Sequence, residues 1–353
     1  MFSPKVYLYN LVTGRARGPI AALFRWLLYI LSLVYGLAVA VISAFYMIRP
    51  RRLRCKVISV GNITLGGTGK TVLVQCLAEK LNRKGRRIAV LTRGYKRNPG
   101  LAGREGMGDE PAMLKDKLPY AAVIVDKNRL RGASRAAREY NADTLILDDG
   151  MQQWKIYKDL EIVTIDAENP FGNLRLLPAG FLREPLSALR RADVFVLTNL
   201  GPGCDTPAIA KRLRGLNPRA LLAEARHCAE GFRDLGSPNA ILNPDAFKGR
   251  SALAFSGIGN PGSFEETLSS LGVNIAEALR FADHHDYSRK DLEHILSLAK
   301  DRGLDIIVTT EKDAVKVSRL KTGRTGIFSL NVRLRITKNE AEFDRRLFEL
   351  YPL

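Results

Sequence analysis

A Gly-rich stretch lying between an apolar run and a helix-like one constrains the fold of this chain more than any other feature. The segment VISVGNITLGGTGKTVLVQCL, residues 57–77, reads as a strand over 57–60, a turn over 61–69 and a helix beginning at Lys70 and Thr71. The free N–H groups and positive dipole end of such a helix favour phosphate. Gly66, Gly67, Thr68 and Gly69 bring the main chain close to phosphate oxygens. Lys70 is placed for the β- and γ-phosphates, and Thr71 for Mg²⁺. The usual spacing, G-x-x-x-x-G-K-[ST], puts Thr64 where the first glycine should stand. Gly61, at the end of the strand, is expected to relieve part of that turn demand. The alternative, a Gly-rich turn without a ligand, is disfavoured because strand, GGTGKT and helix coincide.

The rest of the chain extends this pattern. At 353 residues it is long enough for two packed units. Short apolar runs at 56–61, 87–94, 121–126, 144–149, 160–166 and 193–199 read as buried strands, with helical patterns such as 71–84 and 129–140 between them. The alternation predicts a mainly parallel sheet with helices on both faces. A second set of elements follows, with strands at 252–259 and 306–314 and helices at 261–271 and 289–302. A hinge is expected within 217–249, where Gly, Pro and Asn break the pattern. The expected division is a basic N-terminal segment over 1–50, a phosphate-loop domain over 51–225 and a smaller α/β domain over 226–353.

Charge separates the N-terminus from the remainder. The net charge is +19, yet the first acidic residue is Glu79, and ten basic side chains precede it. An anionic surface or substrate is implied. These basic residues flank an apolar run rather than alternate with aromatics, which argues against nucleic acid. The run, 26–48, has 23 uncharged residues, about 35 Å as a helix. It is too long for a signal-peptide core and is followed by Arg-Pro-Arg-Arg-Leu-Arg. A spanning helix is the leading expectation, ahead of a helix lying in one leaflet and of a helix buried in the protein. Four scattered cysteines without a C-x-x-C pair fit a reducing compartment.

Several acids could face a nucleotide, because ligands of parallel sheets gather beyond the carboxyl ends of strands. Asp148–Asp149, ending the 144–149 run before Gly150, is the strongest pair and is expected on the Mg²⁺ side. Asp126 and Asp166 read more simply as caps or surface charges. Asp109–Glu110 in the GDEP stretch would by pattern alone be solvated. The Asp283-His284-His285-Asp286 cluster suits proton transfer or phosphate binding better than a metal, since adjacent residues rarely reach one ion.

Together these stretches resemble the tetraacyldisaccharide 4′-kinases of the lipid A pathway in Gram-negative bacteria. The matching motifs run in order over 60–316: VGNITLGGTGKT, TRGYKR, GDEP, DKNRLRGA, LILDDGMQQW, GNLRLLPAGFLREP, SGIGNPGSF, FADHHDYS and TTEKDAVK. The family loop is itself of the GN-x-x-x-GGTGKT type, so Thr64 matches it. The resemblance implies transfer of the ATP γ-phosphate to the 4′-hydroxyl of a tetraacyl disaccharide 1-phosphate. It implies two α/β domains closing around ATP on the cytoplasmic face of the inner membrane. It assigns Asp109 and His284 to a dyad that draws the proton from the sugar hydroxyl, with Lys70 on the phosphates. Thr71, Glu110 and Asp148 would serve Mg²⁺. Arg183 would offset nucleotide charge, and Tyr95, Arg129, Asp149 and Gln152 would meet the substrate. A nucleotide-side role is expected for TTEKDAVK, and no protein partner is implied. Met151 and Gln153 depart from the aromatic and histidine common in the family. A membrane-anchored nucleotide switch is the alternative class. Guanine recognition usually adds N-K-x-D, and the nearest stretch here is TEKD at 310–313.

Overall fold

The structure, a computed structural model, describes residues 4–94, 109–201, 203–237, 241–283, 285–318, 320 and 326–351. The N-terminal part carries helices α1 (Pro4–Val12) and α2 (Pro19–Ile48), then β1 (Lys56–Gly61), α3 (Lys70–Asn82) and β2 (Ile88–Thr92). Next come α4 (Asp109–Lys117), β3 (Ala122–Val125), α5 (Arg129–Tyr140), β4 (Thr144–Asp148), β5 (Leu160–Asp166), β6 (Val194–Thr198) and α6 (Thr206–Leu216). The chain continues with β7 (Leu221–Asp234), β8 (Ile241–Leu242), β9 (Ser251–Ser256), α7 (Pro261–Ser270), β10 (Asn274–Arg280) and α8 (Arg289–Asp301). It ends with β11 (Ile306–Thr310), α9 (Glu311–Ser318), β12 (Ile327–Lys338) and α10 (Glu340–Phe348).

Residues 1–93, 120–226 and 336–353 form one compact unit, and 94–119 with 227–335 form a second. In the first, strands run in the order β7-β6-β5-β1-β4-β2-β3, every neighbouring pair parallel. Strands β2, β4 and β6 are buried at every position, as a parallel sheet covered on both faces requires. Leu145, Leu147 and Leu91 pack with Ala133 and Ala136 of α5, while Val163, Ile165 and Leu197 pack with Leu213 of α6. Truncating one such leucine to alanine costs about 2–5 kcal/mol. Register pairs Val60 of β1 with Asp148 of β4 and Gly61 with Val163 of β5, so the loop after β1 and the acids after β4 leave the sheet at one edge.

The second unit has parallel strands in the order β10-β9-β11-β12, and β8 adds antiparallel to the distal part of β7. Phe232, Phe247, Phe264 and Leu268 fill one core cluster; Phe255, Tyr287, Leu292 and Ile295 fill another. Helix α4 joins this unit through Lys117, whose Nζ lies 2.6 Å from Glu311 of α9 and donates to the Val332 carbonyl at 3.1 Å.

Three expectations differ from what is observed. The 217–249 segment expected as a hinge does contain the break between the two units, at 226/227, but that break falls within the continuous strand β7 rather than in a loop. The run expected as a strand over 306–314 turns into α9 at Glu311. The 226–353 segment divides: α10 rejoins the first unit, where Lys80 meets Glu340 at 2.8 Å and Asp344 at 2.9 Å, and Tyr351 shares a hydrogen bond with Thr144 at 2.8 Å.

Helix α2 is long and apolar enough to cross a membrane, but it lies along the first unit. Its buried Ala21, Ser32, Val39 and Ser43 mark one face. Tyr29 stacks beneath Arg175, Tyr35 Oη donates to the Arg183 carbonyl at 2.9 Å, and Tyr46 faces Lys155. Leu176 sits so close to Gly36 that an added Cβ would lie 2.6 Å from its Cδ1. Contacts from Tyr29 to Tyr46 span about 25 Å of helix. The opposite face exposes Leu23, Trp26, Leu37 and Phe45.

Candidate active site

The loop after β1 is pinned on one side and open on the other. Leu65 N donates to Phe181 O at 2.7 Å and Arg183 N to Ile63 O at 2.8 Å, so residues 63–65 run as a short antiparallel bridge to 181–183. This explains Thr64: a bridge position is extended, and any residue can adopt it. Gly61 is needed for a different reason than the turn. A Cβ there would come within 2.4 Å of the Met151 Cβ and 2.5 Å of its N, so the chain after β4 crosses directly over it. Met151 is fully buried in the core, which accounts for an aliphatic side chain at that position. Beyond the bridge, a Cβ built on Gly66 or Gly67 meets no atom within 4 Å. Gly69 caps α3 with φ +73, a left-handed conformation costly for other residues, and no side chain caps the helix.

Lys70, in the first turn of α3, reaches back over this loop. Its Nζ donates to Asn62 Oδ1 at 3.1 Å and lies 3.6 Å from Asp149 Oδ1. Asn62 is fully buried, and its amide also donates to the Thr64 carbonyl at 2.7 Å. Asp149 adopts a left-handed φ of +56 immediately after β4, which turns its carboxylate toward Lys70 and Arg183. Arg183 Nη1 donates to both Asp149 oxygens at 2.9 Å. Burial works to raise the Asp149 carboxyl, but the Lys70 and Arg183 charges outweigh it and hold it below the usual carboxylate range.

Behind Arg183 stands a second layer that sequence reasoning missed. Glu184 is 1 % exposed and accepts from Gln152 Nε2 at 3.0 Å, Trp154 Nε1 at 3.3 Å and Arg191 Nη2 at 2.7 Å. Gln152 in turn accepts from Arg183 at 3.4 Å. The available signal was an acid directly after Arg183 in LREP, next to residues already singled out. Arg129, at the start of α5, is buried and donates Nη2 to the Asp148 carbonyl at 3.0 Å; its Nε and Nη1 lack a hydrogen-bond partner among the described residues. Burial lowers its basicity despite the adjacent Asp148 and Asp149 charges.

Other expected residues have local duties or fall outside the description. The Thr68 hydroxyl is bonded to Thr164 at 2.7 Å inside the sheet, so what it offers a ligand is main chain. Asp126 caps the turn before α5, accepting from Asn128 N at 2.8 Å and pairing with Arg131. Asp166 accepts from Glu168 N at 3.1 Å. Thr71 follows Lys70 in the first turn of α3. Asp109 and Glu110 open α4, in the second unit rather than with the phosphate loop. Their side chains, like Tyr95 and His284, lie outside the described residues. Next to His284, His285 stacks on Phe281 with centroids 4.7 Å apart, and Lys316 Nζ donates to the His285 carbonyl at 3.0 Å. In TTEKDAVK, Asp313 is fully buried and accepts from Gly257 N and from the Thr310 hydroxyl, each at 2.8 Å. That side chain is committed to the core of the second unit, so the nucleotide-side role expected for the motif does not extend to it.

A parallel sheet whose first strand turns through an open Gly loop into Lys70 and Thr71, with acids beyond the adjacent strand, defines a P-loop nucleotide-binding protein. Comparison with known proteins narrows the class. Residues 24–351 match the family profile described as LpxK, tetraacyldisaccharide-1-P 4′-kinase. The chain is 38% identical over 339 residues to the tetraacyldisaccharide 4′-kinase of Halothermothrix orenii, covering 89% of this chain and 88% of that one. It is 36% identical over 352 residues to that of Syntrophus aciditrophicus, covering 93% of each. The crystal structure of LpxK from Aquifex aeolicus in complex with ATP superposes with a TM-score of 0.73 at 29% identity, covering 93% of this chain and 100% of the other. The chain belongs to the tetraacyldisaccharide-1-P 4′-kinase family.

Proposed function

We propose that this protein transfers the γ-phosphate of ATP to the 4′-hydroxyl of a tetraacyldisaccharide 1-phosphate in lipid A synthesis. The observation that carries the reading is the Lys70–Asp149–Arg183 cluster set against the open glycines Gly66 and Gly67, in a chain of this family. Phosphoryl transfer asks mostly for positioning and charge stabilisation. Lys70 and the loop N–H groups grip the phosphates. Arg183, with Arg129 and its unpartnered Nε and Nη1, offsets phosphate charge. Asp149 and Gln152 orient the acceptor, and Asn62 keeps Lys70 over the loop.

The oxygen donors Thr71 and Asp148 suit Mg²⁺. Among the described residues no three His, Cys, Asp or Glu side chains converge on one point, as fits a cation held largely by nucleotide oxygens and water with Thr71, Asp148 and Glu110 as protein ligands. When bound, Mg²⁺ would neutralise charge on the β- and γ-phosphates. Asp109 and His284 draw the proton from the sugar hydroxyl, and Tyr95 meets the sugar. The apolar outer face of α2, along a helix that protein flanks over most of its length, supports a helix lying in one leaflet. The basic residues around it then face the anionic inner-membrane surface, with the catalytic units on the cytoplasmic side.

The direct test incubates the purified protein with ATP and the disaccharide 1-phosphate and follows the lipid by mass. Gain of one phosphate is expected; ATP hydrolysis without transfer would instead indicate a nucleotide switch. Asp109→Ala and His284→Ala are each expected to lower turnover by about 10²-fold with ATP affinity retained. Near-normal turnover of either sinks the dyad.

A further inference from the structure

A cavity of about 520 Å³ opens at the foot of α2, between the α1–α2 hairpin and the loop after β5, lined by Thr13, Arg25, Trp26, Tyr29, Asn173 and Arg175 among others. Neither Lys70, Asp149 nor Arg183 lines it. Tyr29 is six residues before Tyr35, the α2 residue that touches Arg183, which places the cavity about 9 Å along the helix axis from that contact. The walls are built. Asn173 Nδ2 donates to Val12 O at 3.2 Å and to Ala179 O at 3.0 Å, tying the end of α1 to the loop. Arg25 is half-buried and donates to Ala16 O at 3.0 Å; the Arg175 guanidinium lies 5.4 Å from the Tyr29 ring centre. Among the described residues neither arginine forms an ion pair.

We propose that this cavity binds the phosphate of an anionic glycerophospholipid of the surrounding bilayer. The two guanidiniums suit a phosphate, while Asn173 and Thr13 hold the wall in place through their bonds to main-chain carbonyls. Arg25 and Trp26 mark the point where the apolar run begins, and Trp and Tyr at such a boundary lie at headgroup level. Leu33 and Leu37, exposed on the same stripe of α2 as Trp26, give acyl chains an apolar surface. With no acidic residue before Glu79, the local field selects a net negative headgroup over a zwitterionic one. The site is separate from the transfer chemistry and fixes where the protein sits in the leaflet.

The test measures flotation of the full chain with phosphatidylcholine vesicles, with and without phosphatidylglycerol. Arg25→Gln with Arg175→Gln is expected to weaken binding to the phosphatidylglycerol vesicles by about tenfold. The charge-matched pair Arg15→Gln with Arg17→Gln, outside the cavity, should lose distinctly less. Arg175→Gln alone, at an exposed side chain, should move in the same direction if the double variant melts early. Equal losses for the two pairs would show generic charge attraction and overturn the proposal. So would unchanged vesicle binding together with a raised KM for the disaccharide in detergent, which would assign the cavity to the acceptor's own phosphate.

Discussion

Lys70 and Lys316 each lie in a motif that looks directed at a ligand, and each has an aspartate within 4 Å, yet their surroundings differ in kind. The Lys70 and Asp149 side chains are 13% and 37% exposed at 3.6 Å, beside glycines that face open space. Lys316 and Asp313 are 4% and 0% exposed at 3.3 Å, and they are bonded further to the His285 carbonyl, Gly257 N and the Thr310 hydroxyl. The first pair has room to exchange partners when a nucleotide arrives; the second is a fastening. Exposure of one partner, rather than charge pairing, separates a site from a scaffold.

The largest effect should come at the open pair. Lys70→Ala is expected to lower turnover by at least about 10³-fold while leaving the melting temperature close to wild type, since phosphate contacts supply most of the rate in this chemistry. A parallel loss of stability would erase the contrast with Lys316. At the closed pair, Lys316→Met strands the Asp313 carboxylate in the core and should cost about 3–5 kcal/mol in urea unfolding. Unchanged stability with lost activity would instead make Lys316 a ligand group.

Acid sharpens the comparison further. Because Asp149 is held below the ordinary carboxylate range, its contribution to stability is present above about pH 4 and is lost as pH falls below that value. Thermal melts of wild type and Asp149→Asn should therefore differ at neutral pH and converge in acid. A gap that does not narrow as the pH is lowered would mean the carboxylate is not what matters there. The smallest effect is expected at Tyr35→Phe, which removes one hydrogen bond between α2 and the Arg183 carbonyl. About 1 kcal/mol of stability and a few-fold lower kcat in detergent, with the KM for ATP unchanged, would show that α2 braces the phosphate site as well as anchoring it. No change in kcat would restrict α2 to anchoring.

Much of the first unit could be read from the chain. The strands at β1, β2, β4, β5 and β6 are largely apolar and almost wholly buried because both faces of a parallel sheet are covered, and GGTGKT between strand and helix announces the phosphate loop. The second unit was harder. β7 and β10 alternate or mix burial with charged residues, and α9 begins inside what reads as a continuing strand. Of the residues that the sequence singles out, Lys70, Asp149 and Arg183 are brought together by the fold. Asn62 and Glu184 were not legible, because a buried polar side chain has no periodic signature and is recognised only by the partners it satisfies.

By itself the sequence determined the phosphate loop, the parallel sheet behind it, the apolar helix and the family, since each depends on local spacing or on an ordered set of motifs. Tertiary structure alone decided the rest. It showed that Thr64 is an ordinary bridge residue, that Gly61 yields to Met151, that Asp109 and Glu110 open a helix of the second unit, and that α2 lies along the first. Those facts depend on which distant segments meet, and contact between segments more than a hundred residues apart, as Tyr35 and Arg183 are, leaves no trace in local pattern.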